Sequence, residues 1–230
     1  MEKQEKLYAL AGDVLLSKMN GGDYEVVKEH YEKRLAEFGP NHRGVDWPNQ
    51  HDLERRFAVM LDVVRTRAGS VCLADVGCGV GLMVDYLTDT GQRERFNYRG
   101  IDISEKMIEA ASRRHPNEFF EARDLLKNPI QEQIADYVLM NGVLTEKLTL
   151  SHQRMADFAK HIIYSTYGLC RKGLAFNVMS SHVDWYRDDL FHWPLDECVS
   201  YLVKNISRHV TVRMDYGLYE YTVYVYRDAI

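Results

Sequence analysis

The stretch Leu-Ala-Asp-Val-Gly-Cys-Gly-Val-Gly, residues 73–81, decides the fold of this 230-residue chain. An apolar run that begins at Val71 leads into Asp75, and glycine then occupies every second position. A tight turn from a strand into a helix needs positive φ or a missing Cβ, and glycines also let a ligand approach the backbone. The pattern predicts a ligand-binding loop, although a tight turn without a ligand would use the same glycines.

The carboxylate of Asp75 indicates which ligand this loop would take. A dinucleotide-binding loop offers bare amides and a helix N-terminus to a pyrophosphate. A carboxylate directly before the glycines suits a cofactor that carries a cationic amino group and no phosphate. The G-x-G-x-G spacing also differs from the G-x-G-x-x-G of dinucleotide-binding loops.

Residues 75–81 resemble motif I of the class I S-adenosylmethionine-dependent methyltransferases, which is written D/E-x-G-x-G-x-G, and they match it completely. The resemblance implies that S-adenosylmethionine is the cofactor and S-adenosylhomocysteine the product. The loop residues that it implies as cofactor contacts are Asp75, Gly77, Cys78, Gly79 and Gly81.

A second acidic residue ends the next predicted strand, residues 96–102. In a βαβ unit an acid at this point can accept hydrogen bonds from a ribose diol, which predicts that role for Asp102. Ser104 follows as a predicted helix N-cap, with Glu105 in the first turn. Ile103 resembles the apolar contact that the family makes to the adenine ring.

Ligands in open α/β sheets lie beyond the carboxyl ends of the strands, which singles out two further positions. Asp124 resembles the family acid that accepts the adenine amino group, with Leu125 as an apolar wall, while a solvated loop acid is the alternative for Asp124. Asn141 follows the fourth predicted strand and is expected nearest the sulfonium methyl, as a second candidate catalytic residue. It is not followed by Pro-Pro-Tyr, which argues against nucleic-acid bases as acceptors.

Strands and helices alternate from Val71 onward, as in a doubly wound sheet. Only an antiparallel hairpin can join the last two strands through Tyr216-Gly217. We therefore predict an α/β fold with a doubly wound, seven-stranded, mostly parallel sheet that ends in an antiparallel hairpin. The predicted strands lie near residues 71–76, 96–102, 118–122, 134–140, 173–179, 208–215 and 219–226, and the helices near 80–90, 104–114, 151–168 and 195–206.

Residues 1–69 are predicted to form an N-terminal helical cap within the same domain unit, and residues 70–230 the S-adenosylmethionine-binding domain. Such an extension commonly covers the cofactor cleft in this family, so Tyr31 and Trp47 are expected to cover the cofactor. The predicted cap helices lie at residues 2–18, 22–38 and 51–67.

The segment after the fifth strand, residues 180–194, is rich in His, Trp and Tyr and is the predicted acceptor site. His182 is the candidate base, because a neutral imidazole can take a proton as the methyl transfers. A histidine that only packs or bonds locally is the alternative. Trp185 and Tyr186 are candidate pocket walls. The candidates to hold an anionic acceptor group are Arg43, Arg55, Arg56 and Arg187, although an arginine on a helix usually faces solvent.

The composition limits the kinds of partner that we expect this chain to bind. The net charge is -5 and no run of Lys or Arg occurs, which argues against DNA and disfavours RNA. The four cysteines form no C-x-x-C pair, and the sequence predicts no metal site. No apolar run is long enough to cross a bilayer and no secretory signal is recognised, so we predict no membrane partner and a cytoplasmic location. The oligomeric state is not indicated.

The sequence leaves three candidate functions for this chain. The leading one is a methyltransferase that acts on an oxygen or nitrogen of a small polar metabolite, such as a sugar or an anionic acceptor. The alternatives are a methyltransferase acting on protein or RNA and a non-catalytic S-adenosylmethionine-binding partner protein. A closed aromatic pocket over the sulfonium favours the first, an open groove with basic rims the second, and a loop that fills the methyl-facing space the third.

Overall fold

The computed structural model describes residues 24–66 and 69–230 of the chain, so the helix predicted at residues 2–18 lies outside the described residues. The helices are α1 (Glu25–Phe38), α2 (Gln50–Leu61), α3 (Leu82–Asp89), α4 (Glu105–Arg114), α5 (His152–Leu169) and α6 (Leu195–Asn205), with 3-10 turns at His42–Val45 and Arg93–Arg95. The strands are β1 (Val71–Val76), β2 (Phe96–Asp102), β3 (Phe119–Ala122), β4 (Ala135–Leu144), β5 (Cys170–Ser180), β6 (His192–Trp193), β7 (His209–Arg213) and β8 (Glu220–Tyr226).

These strands form one sheet in the order β3-β2-β1-β4-β5-β8-β7. Strands β1 to β5 pair in parallel, whereas β8 is antiparallel to both β5 and β7. The predicted α/β class, the mostly parallel sheet of seven strands and the C-terminal hairpin are thereby confirmed.

The sheet also contains one short strand that the sequence did not predict. Strand β6 has two residues and pairs in parallel with the end of β5, where Met179 faces His192. It is held there because the Phe191 amide donates to the Thr145 carbonyl at 2.7 Å and because the Trp193 side chain is fully buried. Part of the predicted acceptor loop therefore belongs to the core.

The register brings the ends of the central strands to one edge of the sheet. Asp75 of β1 pairs with Gly100 of β2 and with Leu139 of β4. Asp102 and Asn141 each lie two residues beyond those partners. The three polar residues predicted from the strand ends therefore share the carboxyl edge, where doubly wound sheets bind ligands.

Two apolar layers cover the sheet. Helices α5 and α6 cover one face with side chains that include Ile163 and Leu202, and α2 and α3 cover the other with side chains that include Phe57 and Leu87. Removing this much apolar surface from water is the main stabilising contribution to such a fold. Helix α2 thus packs directly on the sheet, while the assignment of residues 1–69 as a cap stays a prediction.

Helix α2 is shorter than predicted. It ends at Leu61, whereas the sequence pattern predicted a helix to residue 67. The Arg65 amide donates to the Tyr137 hydroxyl at 3.2 Å, and Val63 is fully buried. These tertiary contacts draw the chain toward β1. The helix therefore ends at Leu61, although the apolar pattern continues to residue 67. None of the helices in residues 24–66 and 69–230 is long and apolar enough to cross a membrane.

Candidate functional site

A cavity lies at the carboxyl edge of β1, β2 and β4, under α1 and the His42–Val45 turn. It brings together eleven of the residues predicted to contact the cofactor, which come from six separate segments of the chain. They are Tyr31, Trp47, Asp75, Gly77, Cys78, Gly79, Asp102, Ile103, Asp124, Leu125 and Asn141.

The glycine loop forms the floor of this cavity. Gly77 and Gly79 have φ of 76° and 53°. A Cβ at Gly77 would lie 2.3 Å from a methyl of Val143, and one at Gly79 would lie 3.0 Å from a methyl of Val45. The loop is therefore packed closely between the end of β4 and the 3-10 turn, and neither position has room for a side chain.

Gly81 does not line the cavity. It precedes α3, and a Cβ there would lie 3.0 Å from a ring carbon of His115 and 3.1 Å from one of Phe120. Its place in the motif is explained by packing of the loop against the turn after α4 and against β3. Among the predicted cofactor contacts, Gly81 is the one that the structure leaves outside the cavity.

Asp75 is a buried carboxylate at the end of β1, with 4% of its surface exposed. The Tyr98 hydroxyl donates to its Oδ2 at 2.8 Å. Burial raises the pKa of Asp75 to about 7, because removing water disfavours the charged form. A cationic amino group placed in the cavity would offset that cost by stabilising the carboxylate.

Asp102 fixes the glycine loop as well as facing the cavity. Its Oδ2 accepts from the Gly79 amide at 2.9 Å and its Oδ1 accepts from the Ser104 amide at 2.9 Å. Burial raises its pKa, while these backbone donors act in the opposite direction. Each carboxylate oxygen has two lone pairs, so Asp102 keeps acceptor capacity for ribose hydroxyls.

Helix α1 is tied to the start of α4. As predicted, Ser104 caps α4 by accepting from the Met107 amide. The Ser104 hydroxyl donates to Glu32 at 2.8 Å, and the Lys106 ammonium donates to the other Glu32 oxygen at 2.6 Å. These contacts hold α1 over the Asp102 end of the cavity. Sequence reasoning missed Glu32, which looks like an ordinary surface residue of an amphipathic helix.

A second tie joins the beginning of α1 to Asp124. The Tyr24 hydroxyl donates to Asp124 Oδ2 at 2.7 Å, while Oδ1 accepts from the Leu126 and Lys127 amides. Tyr24 also lines the cavity. The carboxylate predicted to accept the adenine amino group is therefore shared with a tyrosine at the start of α1, a contact that no local sequence pattern indicates.

Asn141 presents an unused acceptor to the cavity. Its Oδ1 is buried and has no hydrogen-bond partner in the described part of the chain. A buried acceptor without a donor costs roughly 1–3 kcal/mol, so such an atom indicates a missing partner. Together with the Asp75 carboxylate and the glycine floor, it fits a cofactor that has a cationic amino group and lacks phosphates.

An aromatic wall stands beside Asn141. The Trp47 ring lies against Gly142, because a Cβ at Gly142 would be only 2.8 Å from Trp47 Cζ2. The Tyr31 hydroxyl lies 3.5 Å from the Gly142 carbonyl oxygen, and burial raises the pKa of Tyr31. The two aromatic residues predicted to cover the cofactor therefore meet at the end of β4.

The predicted acceptor loop does not reach the cavity. His182, Tyr186 and Arg187 are exposed on the segment after β5 and do not line it. Trp185 is 42% exposed and packs against Tyr219. The loop is anchored beside the segment after β4, where the Lys147 and Leu148 amides donate to the Asp189 carbonyl and β6 joins the sheet. The predicted base, His182, and the two predicted pocket-wall residues, Trp185 and Tyr186, therefore lie outside the cavity.

The predicted acceptor-binding arginines are also elsewhere. Arg43 is exposed, with its guanidinium over the Phe38 ring. Arg187 pairs with Asp189 of its own loop. Arg56 donates from Nε to both carboxylate oxygens of Glu220, at 3.0 and 2.9 Å, in a buried ion pair. Neither these three arginines nor Arg55 lines the cavity, and a lone cationic residue in a sequence does not reveal such partners.

Within residues 24–66 and 69–230, no group of three or more His, Cys, Asp or Glu side chains could hold a metal ion. The four cysteines are free thiols. Cys78 lines the cavity, and burial raises the pKa of its thiol.

The chain is similar in sequence to known methyltransferases. Residues 73–162 match a family described as a methyltransferase domain. A Mycobacterium tuberculosis protein assigned as methyltransferase Rv1506c is 31% identical over 158 residues, covering 66% of this chain and 90% of that protein.

Solved structures share the fold. The chain is similar to magnesium protoporphyrin IX methyltransferase from Synechocystis PCC 6803 with bound S-adenosylmethionine, with a TM-score of 0.61 at 15% identity over 91% of this chain and 100% of that one. It is also similar to the DhpI–SAM–HEP complex, with a TM-score of 0.60 at 14% identity over 92% and 100% of the two chains. Human N-acetylserotonin methyltransferase in complex with S-adenosylmethionine gives a TM-score of 0.56 at 13% identity over 90% and 58%.

Proposed function

Because this chain belongs to the class I S-adenosylmethionine-dependent methyltransferases, we propose that it methylates an oxygen or nitrogen of a small polar acceptor. Its cofactor is S-adenosylmethionine. The observation that carries the proposal is the covered cavity, which is lined by Tyr24, Tyr31, Val45 and Trp47 of the N-terminal segment as well as by the glycine loop. A concave site with mainly apolar walls and few polar groups is typical of small-molecule binding.

The bound cofactor supplies an electrophilic methyl group on a sulfonium sulfur. In our proposal Asp75 and Asn141 hold the amino-acid end and Asp102 holds the ribose. Ile103 and Leu125 provide apolar contacts to the adenine. Holding two reactants in contact geometry can lower a barrier by roughly 7–11 kcal/mol, so alignment by these residues is the main catalytic contribution that we assign to the chain.

The base for the acceptor proton is a separate question. No histidine of the described chain lines the cavity. The proposal that His182 is the base therefore lacks geometric support. Tyr31 is the aromatic hydroxyl beside Asn141, and we propose that it orients the acceptor from the covering helix.

The alternatives have less support. A polymer substrate calls for an open groove with basic rims. In the described part of the chain, only two basic residues, Lys28 and Arg123, line this cavity. A non-catalytic binding protein calls for a loop that fills the space facing the methyl group. Here Asn141, Gly142 and Val143 border that space as part of the cavity lining. The cytoplasmic location stays a prediction from the sequence.

A screen for S-adenosylhomocysteine release tests the reaction. Purified protein with S-adenosylmethionine is offered pools of sugars, carboxylic acids, phenols and amines, with total RNA and a peptide pool in parallel. We expect release above background with at least one small-molecule pool and none with RNA or peptides. Release with RNA or peptides alone would transfer the proposal to the polymer class, and cofactor binding without release in any pool would favour the non-catalytic alternative.

The role of Asp102 gives a further prediction. Asp102→Ala removes a charged acceptor whose hydrogen bonds are worth about 1.5–3 kcal/mol, so the affinity for S-adenosylmethionine should fall by roughly 10- to 100-fold. Asp102→Asn keeps one acceptor for the Gly79 amide and should fall less. Isothermal titration calorimetry measures both.

Asp136→Ala is the matched control for Asp102→Ala. Asp136 also accepts from a backbone amide of a neighbouring strand, that of Cys72 at 3.0 Å, but it lies at the opposite edge of the sheet. Its loss should lower stability and leave cofactor affinity unchanged. Equal losses of affinity in both variants would show that Asp102 acts only through the stability of the fold.

A further inference from the structure

The backbone of the Asn141–Gly142 loop is held by a side chain from the next strand. The Gly142 amide donates to Asn177 Oδ1 at 2.8 Å. Asn177 lies on β5 and is fully buried. Gly142 has φ of 81° and forms no β-ladder pair, so this side chain takes the place of a strand partner at the point where β4 turns toward the cavity.

A buried carboxylate decides which way the Asn177 amide points. Its Nδ2 donates to Glu220 Oε1 at 3.1 Å, and Glu220 on β8 is 1% exposed. An ionised carboxylate only accepts hydrogen bonds, so it selects the nitrogen side of the amide. The oxygen side then faces Gly142, whose amide needs an acceptor. Arg56 Nε donates to both oxygens of the same carboxylate, which holds Glu220 in place beside Asn177.

The same arginine supports the aromatic wall. The guanidinium carbon of Arg56 lies 4.1 Å from the centre of the Trp47 ring, and Trp47 rests on the open side of Gly142. The contacts thus form a closed circuit through Gly142, Asn177, Glu220, Arg56 and Trp47. The circuit joins the C-terminal hairpin to the part of the cavity wall that the sequence places beside the methyl group.

We propose that Asn177, oriented by the Glu220–Arg56 ion pair, is a positioning residue that sets the Asn141–Gly142 loop and the Trp47 wall for the methyl-bearing end of the cofactor. This inference rests on the proposed function for the placement of that end. Arg56, predicted from the sequence as an acceptor-binding residue, acts in this inference through Trp47 and Glu220, without touching the acceptor.

The test uses Asn177→Leu, Asn177→Asp and the exchange variant that combines Asn177→Asp with Glu220→Gln. Leucine removes the acceptor for Gly142, and aspartate sets a second carboxylate against Glu220. The exchange variant restores one amide and one carboxylate with their positions swapped. Two quantities are measured at pH 8: hydrogen exchange of the Gly142 amide by NMR without cofactor, and the affinities for S-adenosylmethionine and for adenosine by calorimetry.

We expect Asn177→Leu to accelerate exchange at Gly142 at least 100-fold and to weaken S-adenosylmethionine binding at least tenfold, with adenosine binding within threefold of the unaltered protein. Asn177→Asp should show an intermediate loss. The exchange variant should return Gly142 exchange and the affinity for S-adenosylmethionine to within threefold, because the glutamine nitrogen can donate to the new carboxylate while the glutamine oxygen still accepts from Arg56 Nε. Recovery in the exchange variant also tests the circuit if Asn177→Leu fails to fold.

Thr222→Val is the control. Thr222 is buried opposite Asn177 and hydrogen-bonds with the Tyr216 hydroxyl at 2.9 Å, so its loss perturbs the same core without removing the contact to Gly142. It should leave the ratio of the two affinities unchanged. Parallel loss of both affinities in Asn177→Leu, or no recovery in the exchange variant, would overturn the inference. Failure of the unaltered protein to bind S-adenosylmethionine would instead overturn the proposed function, while Gly142 exchange would still report on the circuit.

Discussion

Gly79→Val is expected to lower the affinity for S-adenosylmethionine by at least 100-fold, which corresponds to about 2.7 kcal/mol. Gly79 has φ of 53°, a conformation that a β-branched residue adopts only with strain. A Cβ would already lie 3.0 Å from Val45, and the valine methyl groups would extend farther into the cavity wall. The loop must then shift away from Asp102, which accepts from the Gly79 amide. Calorimetry on the folded variant measures the loss.

Gly91→Val separates the backbone strain from the loss of the cavity floor. Gly91 has φ of 67°, but a Cβ there would meet no atom within 4 Å, and the residue does not line the cavity. This variant should lose a similar amount of thermal stability and bind cofactor normally. If Gly79→Val also bound cofactor normally, the glycine loop would not be the cofactor floor.

The glycine-loop side of the cavity was predictable because its information is local in the chain. The acid and the glycines of residues 75–81 stand next to one another, and Asp102 ends an apolar run that the sequence shows directly. Parallel pairing then fixes their proximity, since the carboxyl ends of neighbouring strands meet at one edge. Alternation of strands and helices likewise predicted the sheet, and the short connection at Tyr216-Gly217 predicted its C-terminal hairpin.

The covering side of the cavity was not predictable in the same way, because its contacts join distant parts of the chain. Tyr24 and Asp124 are 100 residues apart, and Arg56 and Glu220 are 164 apart. Each of these residues alone resembles a surface residue, and only the fold shows that it is paired. The His182 loop was assigned by its composition, which does not reveal that β6 joins the sheet and that the Asp189 carbonyl accepts from the Lys147 and Leu148 amides.

Asp75→Asn is expected to stabilise the cofactor-free protein at pH 8. Burial raises the pKa of Asp75 to about 7, above the value near 3.9 of an unfolded aspartate. Between these two values the unfolded chain has released a proton that the folded chain retains, so wild-type stability falls as pH rises through this window. The total is on the order of a few kcal/mol. Asparagine does not titrate, so the variant should lose this pH dependence in thermal unfolding.

Asp136→Asn provides a control of opposite sign. The Cys72 amide and the Arg171 and Lys172 cations lower the pKa of Asp136 against the opposing effect of burial. Its carboxylate therefore contributes stability above the unfolded pKa, and that stability is lost as pH falls through the folded value. Asp136→Asn should lower the melting temperature at pH 8. Equal shifts of the same sign in the two variants would refute the charge argument for Asp75.

The same substitution of Asp75 is expected to weaken S-adenosylmethionine binding at least 100-fold. Wild-type affinity should rise with pH until Asp75 is ionised near pH 7, because the cationic amino group binds the carboxylate and not the acid. It should fall again above about pH 8, where a free α-amino group loses its proton. At pH 6, calorimetry in two buffers of different ionisation enthalpy should detect proton release in the wild type and none in Asp75→Asn. If the wild-type affinity did not depend on pH, the proposal that the cofactor amino group binds Asp75 would be wrong. A buried carboxylate that destabilises the empty protein is retained, on this account, because the cationic cofactor offsets its desolvation.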